Sequence, residues 1–415
     1  MHSDGVNIMT TKHRHCYATT ATILEIPPPL RDVAKNKILL SLYFGRKQPS
    51  VESMYGRLID DILTLKQRGL TVENEKNEII NFNFRCQTDK NDLPCRAVKW
   101  KINQFNENYA CTHCKQEGNT LNSPLVYYPY SDNHVLRTQH DFVHAAKLAA
   151  SRSKPGYVTI VEGIKGLTPL LKIYKNVTEH CIFDYMHAVC GGSGHIGHLL
   201  QKWLSHTSST TATQMSDFVL ETLIPHDVKV IMKSFSDLEW YKSKELKFFL
   251  LYISMPLVVK FLPAAIANHF VLFFLSIRIL HFYEDVSQID DAKEFLQQYR
   301  KELAAIYGAK FELYSVHLLQ YFPNQCRQHG ALYTTSYFSE ESFLGYLKSL
   351  RKNTTVKIGR NIFHQYLLQT TIHKDETLTL ENLFIDEQIY DSTYISKQEL
   401  NKFLPLLQQQ FQVNI

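Results

Sequence analysis

The chain has 415 residues and a formal net charge of +5 at pH 7, with a pI of about 8.6. Its length is too great for one small hydrophobic core, so we expect two or three subdomains. Hydrophobic residues make up 44% of the sequence and aromatic residues 12%, a composition that excludes an intrinsically disordered protein. The mildly basic charge permits contact with nucleic acid but does not require it.

The eight cysteines are spread sparsely, and only Cys111 and Cys114 have the Cys-x-x-Cys spacing of a metal site. The first residues lack the charged and apolar regions of a secretory signal. Because disulfide frameworks belong to oxidising compartments, this cysteine usage favours a reducing one, the cytosol or the nucleus.

The first 100 residues predict strands and one helical region. SDGVNI and YATTATILEI are strand-like, and apolar residues recur at helical spacing from Lys35 to Gly69. IINFNFRCQT alternates between apolar and polar residues as a strand does, and Asp92 follows close behind it.

Residues 115–155 predict a polar and aromatic loop with a short helix near Phe142–Ala150. HCIFD predicts a short buried strand, and a helix begins at Tyr185. Residues 196–330 are helical in pattern almost throughout, and short strand-like runs return in 355–410. This order indicates a mixed sheet with a helical insertion rather than two tandem domains.

The segment from Phe248 to Leu280 is strongly apolar, and a membrane helix needs about 20 consecutive residues of this kind. We expect polar residues and prolines to divide the segment into shorter pieces that form buried helices and do not span a membrane. The dividing residues are Pro256, Lys260, Pro263, Asn268 and His269.

Three acids occupy positions that suit metal-dependent cleavage of phosphodiesters. Asp4 lies in a strand-like stretch, Asp92 follows a strand, and Glu341 lies on a predicted helix. Such chemistry needs carboxylates that converge on Mg²⁺ ions from rigid elements. The competing interpretation is that Asp4 and Asp92 cap turns and that Glu341 lies on a solvated helix face.

Cys111 and Cys114 supply half of a tetrahedral zinc site, which needs two further ligands. His317 is the best donor in the helical block, and Tyr321 lies one turn further on, where a histidine would complete the set. The alternative fourth ligands are Cys326 and His329. The competing interpretation is two free thiols and a core histidine.

Asp184 and His187 are three residues apart at the start of a helix and therefore face the same side. They either orient one another near the metal site or serve as an N-cap and a core histidine.

Basic residues near aromatic ones occur mainly in two places, and each is either a phosphate-binding surface or a solvated face. The first group is Lys147, Arg152 and Lys154. The second group follows Glu341 and consists of Lys348, Arg351, Lys352, Lys357 and Arg360.

Taken together and in order, these stretches resemble CACTA-type DDE transposases and the related animal transposase domain-containing proteins. The resemblance spans nearly the whole chain. The stretches that carry it are SDGVNI, EIPPPLRDVAKNKILLSLYFGRKQPS, NDLPCRAVKWKINQFNENYACTHC, GIKGLTPLL, FDYMHAVCGG, WYKSKELKFFLLYISMPLV, LPAAIANHFVLF, SVHLLQYF and GALYTTSYFSEES.

The resemblance implies an α/β fold with a ribonuclease-H-like mixed sheet that is interrupted by an all-α insertion. It divides the chain into a catalytic core with a truncated first strand and a zinc-hook loop, a helical insertion, a returning catalytic helix and a C-terminal tail. The corresponding ranges are 1–195, 196–330, 331–360 and 361–415.

By resemblance, Asp4, Asp92 and Glu341 are the catalytic acids, which would hold Mg²⁺ or Mn²⁺. The supporting pair would be Asp184 and His187, and zinc would bind Cys111, Cys114 and His317. This order is similar to that of the V(D)J recombinase catalytic subunit, where a Cys-x-x-Cys follows the second acid and histidines precede the third. Glu245 is the alternative third acid.

The function implied is metal-dependent DNA strand cleavage and transfer in the nucleus, with DNA as partner and a homo-oligomer as the active form. DNA would be bound by Arg351, Lys352, Lys357 and Arg360. The strand that should lead into Asp4 is short, and Tyr321 replaces a histidine. These departures point to a truncated or inactive copy, so the alternative function is a catalytically inactive domesticated transposase that binds DNA or protein.

Overall fold

The computed structural model describes residues 1–6, 15–45, 49–73, 76–226, 228–350 and 362–368. The protein is mixed α/β over these residues, as the sequence predicts, with a five-stranded mixed sheet and many helices.

The larger sheet has the strand order β3-β2-β1-β6-β7. β1 and β2 are antiparallel, as are β2 and β3, whereas β1, β6 and β7 are parallel. These strands are β1 (His2–Val6), β2 (His15–Thr22), β3 (Lys37–Gly45), β6 (Asp89–Asn91) and β7 (Cys181–Ile182). β1 therefore lies in the middle of the sheet, between an antiparallel and a parallel neighbour.

The smaller sheet is an antiparallel hairpin of β4 (Leu70–Glu73) and β5 (Ile79–Phe82). All the residues of both strands are exposed. The hairpin comes between the first helix and β6 in the chain and contributes nothing to the larger sheet.

Helices carry most of the remaining described chain. Those in its first half are α1 (Val51–Arg68), α2 (Leu93–Lys99), α3 (Gln139–Arg152) and α4 (Val177–His180). Those that follow the larger sheet are α5 (His195–His206), α6 (Ser209–Glu221), α7 (Ser243–Phe248), α8 (Ser254–Phe261), α9 (Ala264–Phe282), α10 (Gln288–Tyr307), α11 (Tyr314–Leu318), α12 (Phe322–His329), α13 (Leu332–Thr335) and α14 (Phe338–Ser349). Single π-helical turns cover Met186–Cys190 and Phe249–Ile253, and 362–368 is helical.

The ends of α1 show how local sequence sets an element. The Ser50 side chain accepts a hydrogen bond from the Ser53 amide at 3.1 Å, which satisfies one of the free N–H groups of the first turn. At the other end Gly69 has a φ of 73°, which glycine adopts at low cost, and its amide bonds to the Leu65 carbonyl.

The buried residues form three apolar clusters. The largest lies among helices α5–α13 and also contains Cys111 and Cys114. A second holds α1 and α3 together beside β7, and a third packs α14 and 362–368 against β2 and β3. The larger sheet is therefore held from several sides, and its central strands are fixed in position.

Three local predictions were wrong. The helical pattern from Lys35 begins instead as strand β3, and the helix starts only at Val51. The predicted strand before Asp92 forms the separate hairpin, and the short strand β6 leads into Asp92 instead. Part of the strand-like tail, 362–368, is helical. In each case tertiary packing outweighs local pattern.

The apolar segment also differs from expectation. Helix α9 runs for 19 residues and passes through Asn268 and His269, so these residues do not divide it. The helix is long and apolar enough to cross a membrane, with a mean hydropathy of 1.6, and 44% of that window is buried inside the protein. His269 lies within the protein and its Nε2 bonds to the Tyr299 carbonyl at 2.8 Å.

Candidate functional site

Asp4 lies on β1, and Asp92 directly follows the neighbouring parallel strand β6. The register of β1 and β6 pairs Ser3 with Asn91, and each acid is the next residue along the chain. Because β1 and β6 are parallel and pair in this register, the two acids are neighbours at the point where β6 ends.

Each of these acids is fixed by a bond to the backbone. Asp4 Oδ1 accepts from the Gly5 amide at 2.6 Å, and Asp92 Oδ1 accepts from the Cys95 amide at 2.8 Å. Asp92 is the N-cap of α2, so the capping role that was the competing interpretation is met. Capping uses one oxygen and does not remove the carboxylate from the site.

Glu341 approaches the same edge from the first turn of α14. Its carboxylate lies 3.9 Å from His187 Nε2, and its side chain is 42% exposed. The charge of Glu341, like that of Asp92, contributes to the raised pKa of Asp4.

Asp184 and His187 are in contact, but His187 is not a core histidine, because its side chain is 32% exposed. Asp184 Oδ2 accepts from His187 Nδ1 at 2.7 Å and from the His187 amide at 2.8 Å. Asp184 Oδ1 accepts from the amides of Met186, at 3.1 Å, and Tyr337, at 2.9 Å. Asp184 thus caps the π-helical turn, orients the imidazole and anchors the backbone just before α14.

The electrostatics of the site reflect crowded negative charge. Burial, followed by the charges of Asp92 and Glu341, raises the pKa of Asp4 to about 8. Burial also raises the pKa of Asp92. Burial lowers the pKa of His187, but the hydrogen bond and charge of Asp184, with the charges of the other acids, outweigh it and raise the pKa to about 9. A cation at this edge would relieve the repulsion.

Glu340, which sequence reasoning missed, holds α14 against the sheet. Its carboxylate is 1% exposed and lies 2.8 Å from Lys90 Nζ and 3.3 Å from Lys37 Nζ. Burial opposes its ionisation, yet these two ammonium groups hold the pKa of Glu340 well below its ordinary value. Lys90 is on β6 and Lys37 on β3, so one buried acid joins the helix to two strands that are separated in the sheet by β1 and β2.

The helical periodicity of this segment could have predicted that Glu340 is buried. Glu340 is three, four and seven residues before Phe343, Leu344 and Leu347, and all of these face the core. Glu341 is the next residue, so it points away from this buried face and toward His187. Two consecutive acids on one helix therefore have different roles.

Arg96 connects this site to the loop that carries the thiols. Its guanidinium donates to the carbonyls of Cys181 and Ile182, both at 2.8 Å, and to the Thr112 hydroxyl. It also stacks on the Phe183 ring, with the guanidinium carbon 3.9 Å from the ring centre. Since Asp92 is the N-cap of α2, which carries Arg96, the end of β7 and the thiol loop are tied to the element next to the second acid.

Cys111, Cys114 and His317 form a buried cluster that could hold a metal ion such as zinc. In the part of the chain that the structure describes, it is the one group of three or more such side chains whose ligand atoms all lie within 4.8 Å of one another. Cys114 Sγ is 3.5 Å from His317 Nε2. Two sulfurs and an imidazole nitrogen are a donor set that suits Zn²⁺.

The two thiols are electrostatically coupled. Burial opposes ionisation of Cys111, but the hydrogen bond with Cys114 and the charge of His317 hold the pKa of the Cys111 thiol well below its ordinary value. The hydrogen bond with Cys111, then burial, raises the pKa of the Cys114 thiol. One thiolate is thus favoured at this position, and metals bind cysteine as thiolate.

Neither alternative fourth ligand reaches the cluster. Cys326 Sγ contacts the Leu280 carbonyl at 3.8 Å. His329 bonds through Nε2 to the Glu179 carbonyl at 2.7 Å and lies 3.3 Å from the Gln87 amide nitrogen through Nδ1. Both side chains therefore have other partners.

Glu245 does not join the acids. It lies at the start of α7, where its Oε2 accepts from the Lys242 amide at 2.8 Å and pairs with Lys233 Nζ at 2.5 Å. It is therefore a capping and ion-pairing residue, and Glu341 is the acid that lies near Asp4.

The predicted DNA-binding residues Arg351, Lys352, Lys357 and Arg360 lie outside the described residues. Lys348, at the end of α14, is exposed, as are the members of the other basic group, Lys147, Arg152 and Lys154. Exposure fits both the phosphate-binding and the solvated-face interpretation.

Comparison with family models and with curated proteins identifies no relative of this chain. No protein-family model matches the sequence, and no curated protein matches it significantly. The functional assignment therefore rests on the residues and their geometry.

Proposed function

We propose that this chain is a transposon-derived, DDE transposase-like protein with a ribonuclease-H-like fold, which cleaves and transfers DNA strands with Mg²⁺ or Mn²⁺. What supports the proposal is that acids from three distant parts of the chain act on one another and on His187: Asp92 and Glu341 raise the pKa of Asp4, and the Glu341 carboxylate lies 3.9 Å from His187 Nε2. Mg²⁺ prefers carboxylate oxygens as ligands, and here the sheet and the helix α14 hold the carboxylates.

The sheet supports the proposed fold. Asp4 lies on β1 and Asp92 directly follows the adjacent parallel strand β6, a block of helices follows β7, and the third acid returns on α14. An all-α insertion between the last strand of the core sheet and the final catalytic helix is the arrangement that the resemblance implies.

In this proposal the acids would hold the ions, which supply charge neutralisation at the phosphate and activation of a water or hydroxyl nucleophile. Among the described residues, the oxygens of the three acids do not lie within 4.8 Å of one another as the ligand atoms of the cysteine and histidine cluster do, so binding of the ions would have to draw them closer. Asp184 holds His187 protonated, with its Nε2 turned toward Glu341. That N–H can donate to a phosphate oxygen at the same edge.

The test is nicking of supercoiled DNA in Mg²⁺ or Mn²⁺ by the full chain and by Asp92→Asn. Asparagine retains the N-cap acceptor of α2 but removes the negative charge, so α2 stays formed. We expect activity to fall more than roughly 100-fold, because several kcal/mol of charge stabilisation are lost.

The matched control is Asp291→Asn, which removes an exposed carboxylate from α10 and should leave nicking unchanged. Equal nicking by the natural chain and Asp92→Asn would refute the catalytic proposal. If the natural chain does not nick but shifts duplex DNA in a gel, the inactive DNA-binding alternative is supported instead.

A further inference from the structure

We propose that the hydroxyl oxygen of Tyr321 is the fourth ligand of the metal cluster, so that Zn²⁺ binds two sulfurs, one imidazole nitrogen and one phenolic oxygen. The inference rests on zinc occupancy of the cluster and not on DNA cleavage. It assigns a role to a residue that replaces the histidine expected at this place.

The hydroxyl of Tyr321 contacts two of the three ligand atoms. It lies 3.5 Å from Cys111 Sγ and 3.3 Å from His317 Nε2. The thiol, imidazole and phenol are all buried. A metal ion that binds Cys111, Cys114 and His317 would therefore meet this oxygen on the open side of the set.

The local backbone explains why Tyr321 reaches the cluster. Tyr321 follows His317 by four residues, and α11 continues into a 3-10 turn over Leu319–Tyr321, so both side chains lie on one face. Its ring stacks on Phe183, with the ring centres 5.3 Å apart, and packs at a tilt against His113, at 4.9 Å. These contacts hold the ring in place whether or not the hydroxyl binds a metal.

Other nearby donors are less suited to the position. The His113 ring packs against Phe183 and Tyr321, and its Nδ1 lies 2.9 Å from the Thr112 hydroxyl. His134 is further away, with its ring centre 6.5 Å from that of Tyr321. Zn²⁺ accepts oxygen as well as sulfur and nitrogen ligands in tetrahedral sites.

The experiment compares the Co²⁺-substituted full chain with Tyr321→Phe, which removes one oxygen and keeps the ring packing. The visible ligand-field bands of tetrahedral Co²⁺ depend on all four ligands, whereas the sulfur charge-transfer bands report the two thiolates. We expect the ligand-field bands to shift in Tyr321→Phe and the charge-transfer bands to remain. We also expect Zn²⁺ affinity to fall by at least roughly 10–100-fold, the loss known for removal of an outer contact alone.

Tyr314→Phe is the matched control, because Tyr314 is buried beside His317 but its hydroxyl donates to the Ala110 carbonyl at 3.2 Å. It should leave the cobalt spectrum unchanged. Tyr321→His should bind Zn²⁺ at least as tightly as the natural chain, with a spectrum typical of a second nitrogen ligand.

Cobalt spectra that coincide for the natural chain and Tyr321→Phe would overturn the proposal, even if affinity falls, since Tyr321 would then only donate a hydrogen bond to Cys111. A natural chain that binds neither Zn²⁺ nor Co²⁺ would also overturn it. A natural chain that shows the expected cobalt spectra but does not nick DNA would refute the proposed catalysis and leave this inference standing.

Discussion

At the scale of single residues, the acids of the candidate site oppose the stability of the fold that presents them. Asp4 is partly buried between two other carboxylates, and its pKa of about 8 means that the charged form is disfavoured in the folded protein. Functional sites often carry such a cost, and removing it commonly stabilises a protein.

We therefore expect Asp4→Asn to raise the free energy of unfolding by roughly 0.5–2 kcal/mol at pH 8 without added Mg²⁺. The folded pKa lies above the unfolded value, so the natural carboxyl favours folding at low pH and this contribution is lost as the pH rises through about 8. The gain should thus vanish near pH 4. Urea unfolding measures it, and Mg²⁺ should stabilise the natural chain more than the variant.

Buried histidines in the helical region also affect stability at the scale of single residues. His281 is 1% exposed, its Nδ1 bonds to the Ile277 carbonyl at 2.9 Å, and no partner for its Nε2 occurs among the described residues. Burial, with the nearby charge of Lys247, lowers the pKa of His281 to about 3. The folded protein therefore keeps this imidazole neutral.

The consequence is sensitivity to acid. Because the unfolded chain takes up the proton near pH 6.5, stability from His281 is present above that pH and is lost as the pH falls toward about 3. From pH 6.5 to pH 5 the loss should be about 2 kcal/mol. His281→Asn, which keeps a donor for the Ile277 carbonyl, should reduce this slope in urea unfolding, whereas the exposed control His206→Asn should not.

At the scale of elements, α14 is the helix whose placement decides the site. Glu340 pairs with Lys37 and Lys90 below the helix, while Glu341 faces the other acids. Truncating one partner of a buried ion pair leaves uncompensated charge and costs about 3–5 kcal/mol. The helix is therefore positioned by an ion pair and not by apolar packing alone.

We expect Glu340→Gln to lower the free energy of unfolding by about 3–5 kcal/mol, because both ammonium groups lose their buried counter-ion. Glu341→Gln is the neighbouring control and should change stability by less than about 0.5 kcal/mol while abolishing nicking. Urea unfolding and the nicking assay separate the two effects. Equal destabilisation by both variants would contradict the division of roles between these glutamates.

At the scale of the whole molecule, the cluster of Cys111, Cys114 and His317 brings distant parts of the chain together. It joins the loop of Cys111 and Cys114 to α11, and Arg96 joins that loop to β7. The largest apolar cluster also contains both thiols, so the cluster belongs to the helical core as much as to the sheet.

When zinc occupies this cluster, its removal should therefore loosen the molecule broadly. We expect a chelator to lower the Tm and to expose the loop of residues 100–136 to limited proteolysis, because a bound metal stabilises only the folded state. Cys114→Ser should already show the lower Tm, and the chelator should not lower it further. A Tm that is insensitive to both would show that apolar packing alone holds this region.

Local chemistry was predictable wherever a short stretch decides it. The pairing of Asp184 with His187 follows from their spacing on one helical turn, and the partnership of Cys111 with Cys114 follows from the Cys-x-x-Cys motif. The mixed α/β class and the helical block after residue 195 also follow from hydrophobic period. These features depend on contacts within a few residues.

Other features depended on where distant segments meet. Strand β3 was predicted as helix because its apolar residues suit both periods, and only pairing with β2 makes it a strand. Glu340 was missed because its partners come from β3 and β6. The sequence indicated only that Tyr321 replaces a histidine ligand, whereas the structure places its hydroxyl against Cys111 and His317. The sequence by itself determined which chemical groups are present and which near neighbours they have. The tertiary structure alone decided which acid is buried and paired and which faces the site, because burial and charge come from segments that are remote in the chain.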